Sequence, residues 1–414
     1  MKPSIETKAS WVVAALSLVI LGVSFGAFWI VVVALKPIAA EMGGARSVPA
    51  FASALAWFGA GLGGIGMGWL ADRYGVRLTV MIGATMIGLG LAISTLGQAS
   101  SGQAWQLYLG HGLFMGLLGN SGLNAPLYVY VSRWFDRRRG SALALIASGQ
   151  YISGALWPPV FENAIAAYGW RSTMMAFALC GLAVILPIAA LVLKRPPEII
   201  APAPASREGA RPTVLGLPPN LVFAMLALAA FCCCMPMSMP QTHLVALCSD
   251  LGIKPTHGAA MLSLLLGTAF VSRQIWGLIS DRIGGLTTVL IGSTWQFFSL
   301  IALALTQDEI GLFTVTAIFG LGFAGIIPAY VLVVRELFPA REAGWRVPIL
   351  LCMSGFGMAS GGWVAGLLYD HFGYYAPAFA AGLIFNFVNL LLIGTLVARR
   401  GGWFGGTRVT PAYG

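Results

Sequence analysis

Arg273 is the residue whose type and position point most directly to chemistry. It lies inside an apolar stretch, residues 257–280, that is long enough to cross a membrane. A charged side chain there costs about 2.5–3.5 kcal/mol on insertion scales, so it normally faces a cavity or a counter-charge. None of the 14 acidic residues lies well inside such a stretch, and Glu162 comes nearest. Because a planar guanidinium binds both oxygens of a carboxylate, Arg273 is predicted to bind an anionic ligand.

Arg273 and a second candidate, His243, also have structural interpretations. Arg273 lies only two turns before the polar residue Asp281, so its side chain is able to reach the membrane surface or to bind backbone carbonyls at a helix break. His243 is the one histidine placed well inside an apolar stretch. A protonated His243 would pair with an anion, whereas a neutral one would form hydrogen bonds between helices. The sequence leaves these alternatives open.

Other polar side chains within the apolar stretches are candidates for lining a cavity, because polar groups avoid lipid. They are Asn120, Asn124, Tyr128, Gln150, Tyr151, Tyr330 and Ser354. Each has a structural alternative, since tyrosine also anchors helices at membrane surfaces and asparagine also bonds between helices. Together with Arg273 and His243 they form the predicted substrate-binding set.

The elements that must position these residues are membrane-spanning helices. Hydrophobic residues make up 58% of the 414-residue chain, charged residues make up 9%, and the mean hydropathy is +0.84. Such values exclude a soluble domain of this length. Twelve apolar stretches are long enough to span a bilayer, which predicts an all-α membrane protein. Their predicted bounds are 11–33, 50–70, 78–97, 105–130, 141–164, 171–193, 218–247, 257–280, 287–306, 310–334, 346–368 and 375–398.

Lysine and arginine are distributed unevenly between the two sets of loops. With twelve spans and both ends on one side, that side holds 19 of the 24 basic residues, and the other side holds Lys36, Arg46, Arg171 and Lys254. The positive-inside rule then places both termini in the cytoplasm. This basic rim, which meets anionic lipids, explains the net charge of +10, so no nucleic-acid partner is predicted. We expect a multi-pass protein of the plasma membrane, specifically a bacterial inner membrane.

The two halves of the chain repeat one another. The glycines Gly116, Gly140 and Gly169 recur as Gly320, Gly344 and Gly373 at a constant offset of 204 residues. The segment between the halves is rich in proline and cannot build a core, so it is predicted to be an extended, mobile cytoplasmic linker. The predicted organisation is a six-helix bundle over 1–193, the linker over 194–217 and a second six-helix bundle over 218–414.

Two polar loops at equivalent places in the halves share the pattern Gly-x-x-x-Asp-Arg-x-Gly. They contain Gly68, Asp72, Arg73, Gly75 and Arg77 in the first copy, and Gly277, Asp281, Arg282 and Gly284 in the second. Glycines allow helices to approach closely, and the charges tie helix ends together on one face. The duplicated loop resembles the signature of the major facilitator superfamily, whose two six-helix bundles rock around a central site. We expect ion pairs of Asp72 with Arg133 or Arg346, and of Asp281 with Arg335, to latch the outward-open state.

Three further segments resemble the monocarboxylate transporter family and its bacterial oxalate/formate antiporter relatives. They are Tyr130–Gly149 with its Trp-Phe pair and basic residues, Gln241–Ile253 around His243, and Arg273–Arg282. The resemblance implies a carboxylate substrate. Three charged residues of the family pattern are absent. Span one has neither the acidic residue that usually opens it nor the lysine of the animal members, and Ala269 replaces the aspartate of the animal members. The carboxylate-binding part of the family pattern is therefore kept, and the departures concern its proton-relay part.

These patterns predict a secondary active transporter of small organic anions, with monocarboxylates favoured, that works by alternating access. Proton coupling is left open, and the alternatives are an organic anion exchanger and a non-transporting membrane sensor. No nucleophile–base pair, nucleotide loop or metal-ligand spacing occurs, so no enzyme activity, cofactor or metal is predicted. The expected partners are a small organic anion, protons if they are coupled, and bilayer lipid, and the chain is expected to function as a monomer.

Overall fold

The computed structural model describes residues 6–97, 104–136, 138–194 and 213–401. Within these ranges the chain is almost entirely helical, with a single two-residue β-bridge between Val214 and Leu217. We call the first three ranges the N-half and the last range the C-half. Because each half crosses the bilayer an even number of times, both ends of the described chain lie on one side. We call that side the termini face and the opposite side the distal face.

The N-half contains nine α-helices and one π-helix in its described residues. They are α1 (Lys8–Ser24), α2 (Gly26–Val33), α3 (Leu35–Glu41), α4 (Ser47–Tyr74), α5 (Val76–Thr95), α6 (Trp105–Leu109), the π-helix Gly110–Asn120, α7 (Ser121–Ser132), α8 (Arg139–Ala147) and α9 (Gly149–Val192). The C-half contains α10 (Pro219–Asp250), α11 (Pro255–Ile283), α12 (Gly285–Leu305), α13 (Glu309–Phe323), α14 (Ile326–Leu337), α15 (Ala340–Phe372) and α16 (Ala376–Arg400).

These helices form twelve membrane spans. Ten helical segments of the described chain are individually long and apolar enough to cross a membrane. One of them, Gly140–Val192, has 53 residues, about 80 Å of helix against a hydrocarbon core of about 30 Å. Gly169, with φ 78°, divides it into two spans. The remaining span, which is span four along the chain, runs from Trp105 to Ser132 and contains the π-helix. The predicted twelve-span, all-α fold is confirmed, and span bounds agree to within a few residues.

The repeat between the halves is visible in the backbone. Gly169 and Gly373, which are 204 residues apart, both have positive φ, 78° and 82°. The glycines that end the two signature loops, Gly75 and Gly284, also have positive φ, 91° and 78°. L-residues with a side chain rarely adopt this conformation, so glycine is needed for the chain to turn sharply from one span into the next.

Glycines also allow span two to pack against span four. A Cβ atom at Gly63 would lie 2.0 Å from the Leu117 carbonyl oxygen, so the two backbones are in direct contact there. Two residues earlier, a Cβ at Gly61 would meet nothing within 4 Å. The face of α4 that contains Gly63 therefore packs against span four of the same half. The face that contains Gly61 lies on another side of the helix, where space is open.

We expect Gly63→Ala to destabilise the fold by about 1–3 kcal/mol, because the added methyl group forces two helix backbones apart. Gly61→Ala is the matched control, since it makes the same chemical change in the same helix where space is open. Thermal unfolding of the purified protein in detergent measures both. Equal midpoints for the two variants would contradict the packing described here.

The two halves meet chiefly along two pairs of spans, and span one also touches span seven. Span two (α4) packs against span eleven (α15), and span five (the first part of α9) packs against span eight (α11). The predicted linker falls mostly on residues 195–212, which lie outside the described ranges. Its last five residues, 213–217, form a tight turn, in which Leu215 and Val214 are buried.

Candidate functional site

Arg273 lies between the two halves, where spans four, five and eight approach one another. It is half-buried, and its guanidinium carbon lies 5.4 Å from the centre of the Tyr151 ring. The Tyr151 hydroxyl interacts with the guanidinium, and Tyr128 is close enough for an electrostatic interaction with it. Tyr128 and Tyr151 belong to the N-half, and Arg273 belongs to the C-half. The structure therefore brings together three of the predicted binding residues at the junction of the halves.

A second link joins this group to spans seven and eleven. The Cys234 side chain interacts with Tyr151 across the junction and with Ser354 of span eleven. Ser354 is buried and also donates a hydrogen bond to the Leu350 carbonyl. Asn124 and Gln150 are half-buried on the same spans as Tyr128 and Tyr151. We call Arg273, Tyr128, Tyr151 and Ser354 the central cluster.

No carboxylate neutralises Arg273 within the described part of the chain. The ion pairs found there join other basic residues to their acidic partners. A half-buried guanidinium that interacts with the Tyr151 hydroxyl and has no counter-ion among these residues offers charge and hydrogen bonds to an anion. The central cluster is chemically suited to a carboxylate.

His243 lies apart from the central cluster, nearer the distal face. It is seven residues from the distal end of α10, about 10 Å, whereas Arg273 is eighteen residues from the distal end of α11, about 27 Å. Its Nε2 atom lies 2.8 Å from the Gly362 carbonyl oxygen, and its Nδ1 atom lies 3.0 Å from the Tyr375 hydroxyl. His243 is thus fully buried and bonded at both nitrogens.

Two more predicted residues form their hydrogen bonds within a single half. The Tyr330 hydroxyl donates to Asn389 Oδ1 at 2.5 Å, and Asn389 in turn donates to Asn386, so Tyr330 joins a buried network between spans ten and twelve. Asn120 is fully buried at the end of the π-helix and donates to the Met115 carbonyl of its own span. Neither side chain contacts Arg273 in this conformation.

The distal face is closed by a charged group that the sequence did not single out. Arg46, which precedes span two, donates from both Nη atoms to the Asp250 carboxylate at 2.5 and 2.6 Å. Lys36 binds the same carboxylate at 3.0 Å. The Arg46 guanidinium lies 3.7 Å from the centre of the Tyr369 ring and donates to the Tyr375 hydroxyl at 2.6 Å. Lys36 and Arg46 come from the N-half, and the other three residues come from the C-half.

A second carboxylate completes this closure. Asp370 accepts hydrogen bonds from the backbone nitrogens of Arg46 and Ser47, at 2.7 and 2.9 Å. These are the first amides of α4, a helix whose own N-cap residue provides no side-chain cap. A carboxylate at a helix N-terminus satisfies free amides and interacts favourably with the helix dipole. The C-half therefore caps a helix of the N-half, and this bond has to break if the distal face opens. We call Lys36, Arg46, Asp250, Asp370 and Tyr375 the distal closure.

On the termini face, the signature-loop residues make contacts within one half. Asp72 pairs with Arg133 at 3.4 Å, and both side chains are largely exposed. Arg73 lies over the rings of Trp69 and Tyr74. The remaining loop residues are exposed or half-buried at the helix ends, and they are Gly68, Arg77, Gly277, Asp281 and Arg282.

The basic partners expected for the signature loops lie at the termini face of the C-half. Arg346 is buried, pairs with Glu342 at 2.8 Å and lies 4.2 Å from the centre of the Phe338 ring. Arg335 is exposed and lines a cavity of about 520 Å³ between spans ten and eleven. The sequence also missed Glu336, which accepts from the Gly285 amide at the start of span nine and pairs with Arg400 at 3.2 Å.

Two six-helix bundles around a central polar site are the architecture of many secondary transporters. The sequence model described as Major Facilitator Superfamily matches residues 17–239 and 226–404. The chain belongs to the major facilitator superfamily. Membership is consistent with a transport role rather than with catalysis.

Similar curated proteins come from several kingdoms. The "MFS-type transporter pynF" of Aspergillus niger is 23% identical over 332 residues, covering 78% of this chain and 74% of that protein. "Monocarboxylate transporter 13" of Bos taurus is 26% identical over 316 residues, covering 75% and 71%. The "Uncharacterized MFS-type transporter YcxA" of Bacillus subtilis is 23% identical over 325 residues, covering 77% and 78%.

The fold is also similar to that of solved transporters. A bacterial homologue of the human lysosomal transporter Spinster, described as inward-facing and unoccupied, superposes with a TM-score of 0.77. The alignment covers 98% of this chain and 100% of that one at 15% sequence identity. At this identity the similarity concerns the fold alone.

Proposed function

We propose that the protein is a secondary active transporter of small organic anions, with monocarboxylates as the favoured substrate class. The observation that carries this proposal is Arg273, a half-buried guanidinium between the halves that has no carboxylate partner among the described residues. The Tyr151 hydroxyl interacts with it, and Tyr128 lies within electrostatic range. The bovine relative named as a monocarboxylate transporter supports the substrate class.

We place the protein in a plasma membrane as a monomer, with the termini face in the cytoplasm. The orientation is supported by the distribution of basic residues, of which four occur in the distal loops. The bacterial inner membrane stays a prediction, since the relatives described above come from a fungus, an animal and a bacterium. The division into bundles 1–193 and 218–414 joined by 194–217 is part of the same proposal.

In this orientation the conformation described here is inward-facing. The distal closure joins the two halves on the outer side, whereas the ion pairs described on the termini face stay within one half. The Spinster homologue with the similar fold is described as inward-facing as well. Transport would then require the distal closure to break while the signature loops engage the opposite half.

Anion exchange is the second candidate, and one observation favours it. Among the described residues, no carboxylate lies next to Arg273, so the central cluster itself has no evident proton carrier. An exchanger needs none, because one anion replaces another on the same guanidinium. A symporter would have to carry its proton elsewhere, and His243 is the candidate.

Uptake into proteoliposomes tests both candidates. Labelled pyruvate, lactate, formate and oxalate are offered to vesicles with and without trapped unlabelled anion. Uptake of a monocarboxylate into anion-free vesicles supports a symporter or facilitated carrier, and uptake that requires trapped anion supports exchange. Wild-type protein that transports none of these anions would overturn the proposed substrate class.

We expect Asp72→Asn to change turnover several-fold while the equilibrium affinity for the anion stays within about two-fold. The pair with Arg133 is largely exposed and therefore worth at most about 1 kcal/mol, which is enough to shift a two-state equilibrium. Transport rates and equilibrium anion binding provide the two measurements. Arg133→Gln should reproduce the effect if this pair carries it. A large loss of affinity with an unchanged rate would contradict the gating role.

A further inference from the structure

The distal closure has the chemistry of a carboxylate-binding site, and Asp250 fills it in this conformation. Both Nη atoms of Arg46 bind its two oxygens, and Lys36 adds a second cation. Arg46 is 7% exposed, whereas the Lys36 side chain is 41% exposed, so the site is open to water on the Lys36 side. A small carboxylate would make the same bonds as the Asp250 side chain.

Opening the distal face separates the two cations from their anion. Lys36 and Arg46 move with the N-half, and Asp250 moves with the C-half. The nearest acid on the loop that carries Arg46 is Glu41, which is already bound by Arg171 and Trp170 of the N-half. Lys36 and Arg46 would then stand without a counter-ion at the outer entrance.

Arg46 would keep its charge in that state. Burial alone disfavours the charged form, but the hydrogen bonds with Asp250 and Tyr375 raise the pKa of Arg46 above its ordinary value. Exposure on opening removes the burial penalty together with these bonds, and a free guanidinium is protonated at any physiological pH. The cation is therefore present whether the face is open or closed.

Space for an anion exists beside Lys36. A cavity of about 560 Å³ lies between the distal ends of the two halves. Lys36 and Glu162 line it from the N-half, and Ser249 and Lys254 line it from the C-half. The volume exceeds that of a three-carbon carboxylate, and its lining carries two cations and one carboxylate.

We propose that Arg46 and Lys36 form an entry site for small carboxylates on the distal face, which Asp250 occupies whenever that face is closed. This inference rests on the proposed transport of organic anions. Substrate and Asp250 compete for the same two cations, so an anion must leave the entry site for the central cluster before the distal face can close. The entry site thereby couples closure to the onward movement of substrate.

Two substitutions that break the same ion pair distinguish an entry site from a simple latch. Asp250→Asn removes the competing carboxylate and keeps both cations, so the half-saturation concentration for external pyruvate should fall or stay unchanged. Arg46→Gln removes the main cation, and we expect the same quantity to rise about ten-fold, the size of one lost charge-assisted hydrogen bond. Lys36→Gln, at a more exposed position, should raise the half-saturation concentration less. This second variant keeps the test informative if Arg46→Gln fails to fold.

The measurement is initial uptake of labelled pyruvate into right-side-out membrane vesicles, compared with efflux from preloaded vesicles. A rise in the half-saturation concentration for uptake in Arg46→Gln, together with a fall or no change in Asp250→Asn and with unchanged half-saturation for efflux, supports the entry site. Parallel shifts in all three variants would show that the group is only a latch and overturn this inference alone. Wild-type vesicles that transport neither pyruvate nor any other carboxylate would overturn the proposed function and this inference with it.

Discussion

Arg273→Lys is expected to lower carboxylate transport by about a hundred-fold or more, while expression and thermal stability stay close to those of the wild type. Lysine keeps the positive charge but loses the planar pair of donors that binds both oxygens of a carboxylate. Initial uptake of labelled pyruvate into proteoliposomes measures the effect. Arg138→Lys is a suitable control, because Arg138 is exposed in a loop on the termini face.

The same substitution separates the anion-binding role from the structural alternatives. If Arg273 only extends toward the membrane surface, lysine does so equally well and transport should survive. If Arg273 instead supports the fold, Arg273→Lys and Arg273→Gln should both lower the unfolding midpoint. Wild-type transport rates in either variant would show that Arg273 does not bind the substrate.

The fold was largely predictable because the bilayer imposes it. A segment of about 20 apolar residues has to be helical to satisfy its backbone in lipid, so hydropathy locates the spans to within a few residues. Hydropathy carries no information on hydrogen-bond register within a span. The π-helix Gly110–Asn120 and the break between α1 and α2 at Phe25 were therefore not predicted.

The central cluster was predicted only in part. Polarity inside a span shows that a side chain avoids lipid, but it does not show whether a cavity or another helix satisfies it. Tyr128 and Tyr151 approach Arg273, whereas Tyr330 is satisfied by Asn389 within the C-half. The two outcomes differ only in which helices neighbour each span, and this depends on tertiary packing.

The distal closure was missed for a related reason. Arg46 and Asp250 lie 204 residues apart, and each resembles an ordinary loop charge in the sequence. The count of distal cations included Lys36 and Arg46, but nothing in the chain indicated that both bind one carboxylate of the other half. His243 was placed correctly inside a span, but its contact with Tyr375 connects it to this closure rather than to Arg273.

This connection gives His243 a specific route to proton coupling. Its Nε2 must donate to the Gly362 carbonyl, so in the neutral ring Nδ1 accepts the Tyr375 hydroxyl. Protonation places a hydrogen on Nδ1 and removes that acceptor. The Tyr375 hydroxyl hydrogen, which points at Nδ1 in the neutral state, then has to turn away before the oxygen, which also accepts from Arg46, can accept from His243. A protonated His243 would therefore weaken the closed distal face.

The charges around His243 do not offset an added proton. Asp250 on its own helix is bound to Arg46 and Lys36, and Asp370 on span eleven caps the start of span two. Tyr369 and Tyr375, the remaining titratable groups of this region, are neutral at physiological pH. External acid is thus expected to favour opening of the distal face. Loss of the proton from His243 is expected to favour its closure. An anion bound in the open state would stabilise the added charge, which is the linkage that symport requires.

We expect wild-type vesicles to accumulate pyruvate about ten-fold for each unit of inward-directed pH gradient, the limit for one proton per anion, and His243→Gln to abolish this accumulation. Glutamine is able to donate to Gly362 and accept from Tyr375 without titrating, so the closure itself should survive. His257→Gln, on the same face and outside the closure, is the matched control. Wild-type uptake that does not depend on the pH gradient would exclude proton symport and leave anion exchange or facilitated diffusion. Full gradient-driven accumulation by His243→Gln would assign the proton to another group.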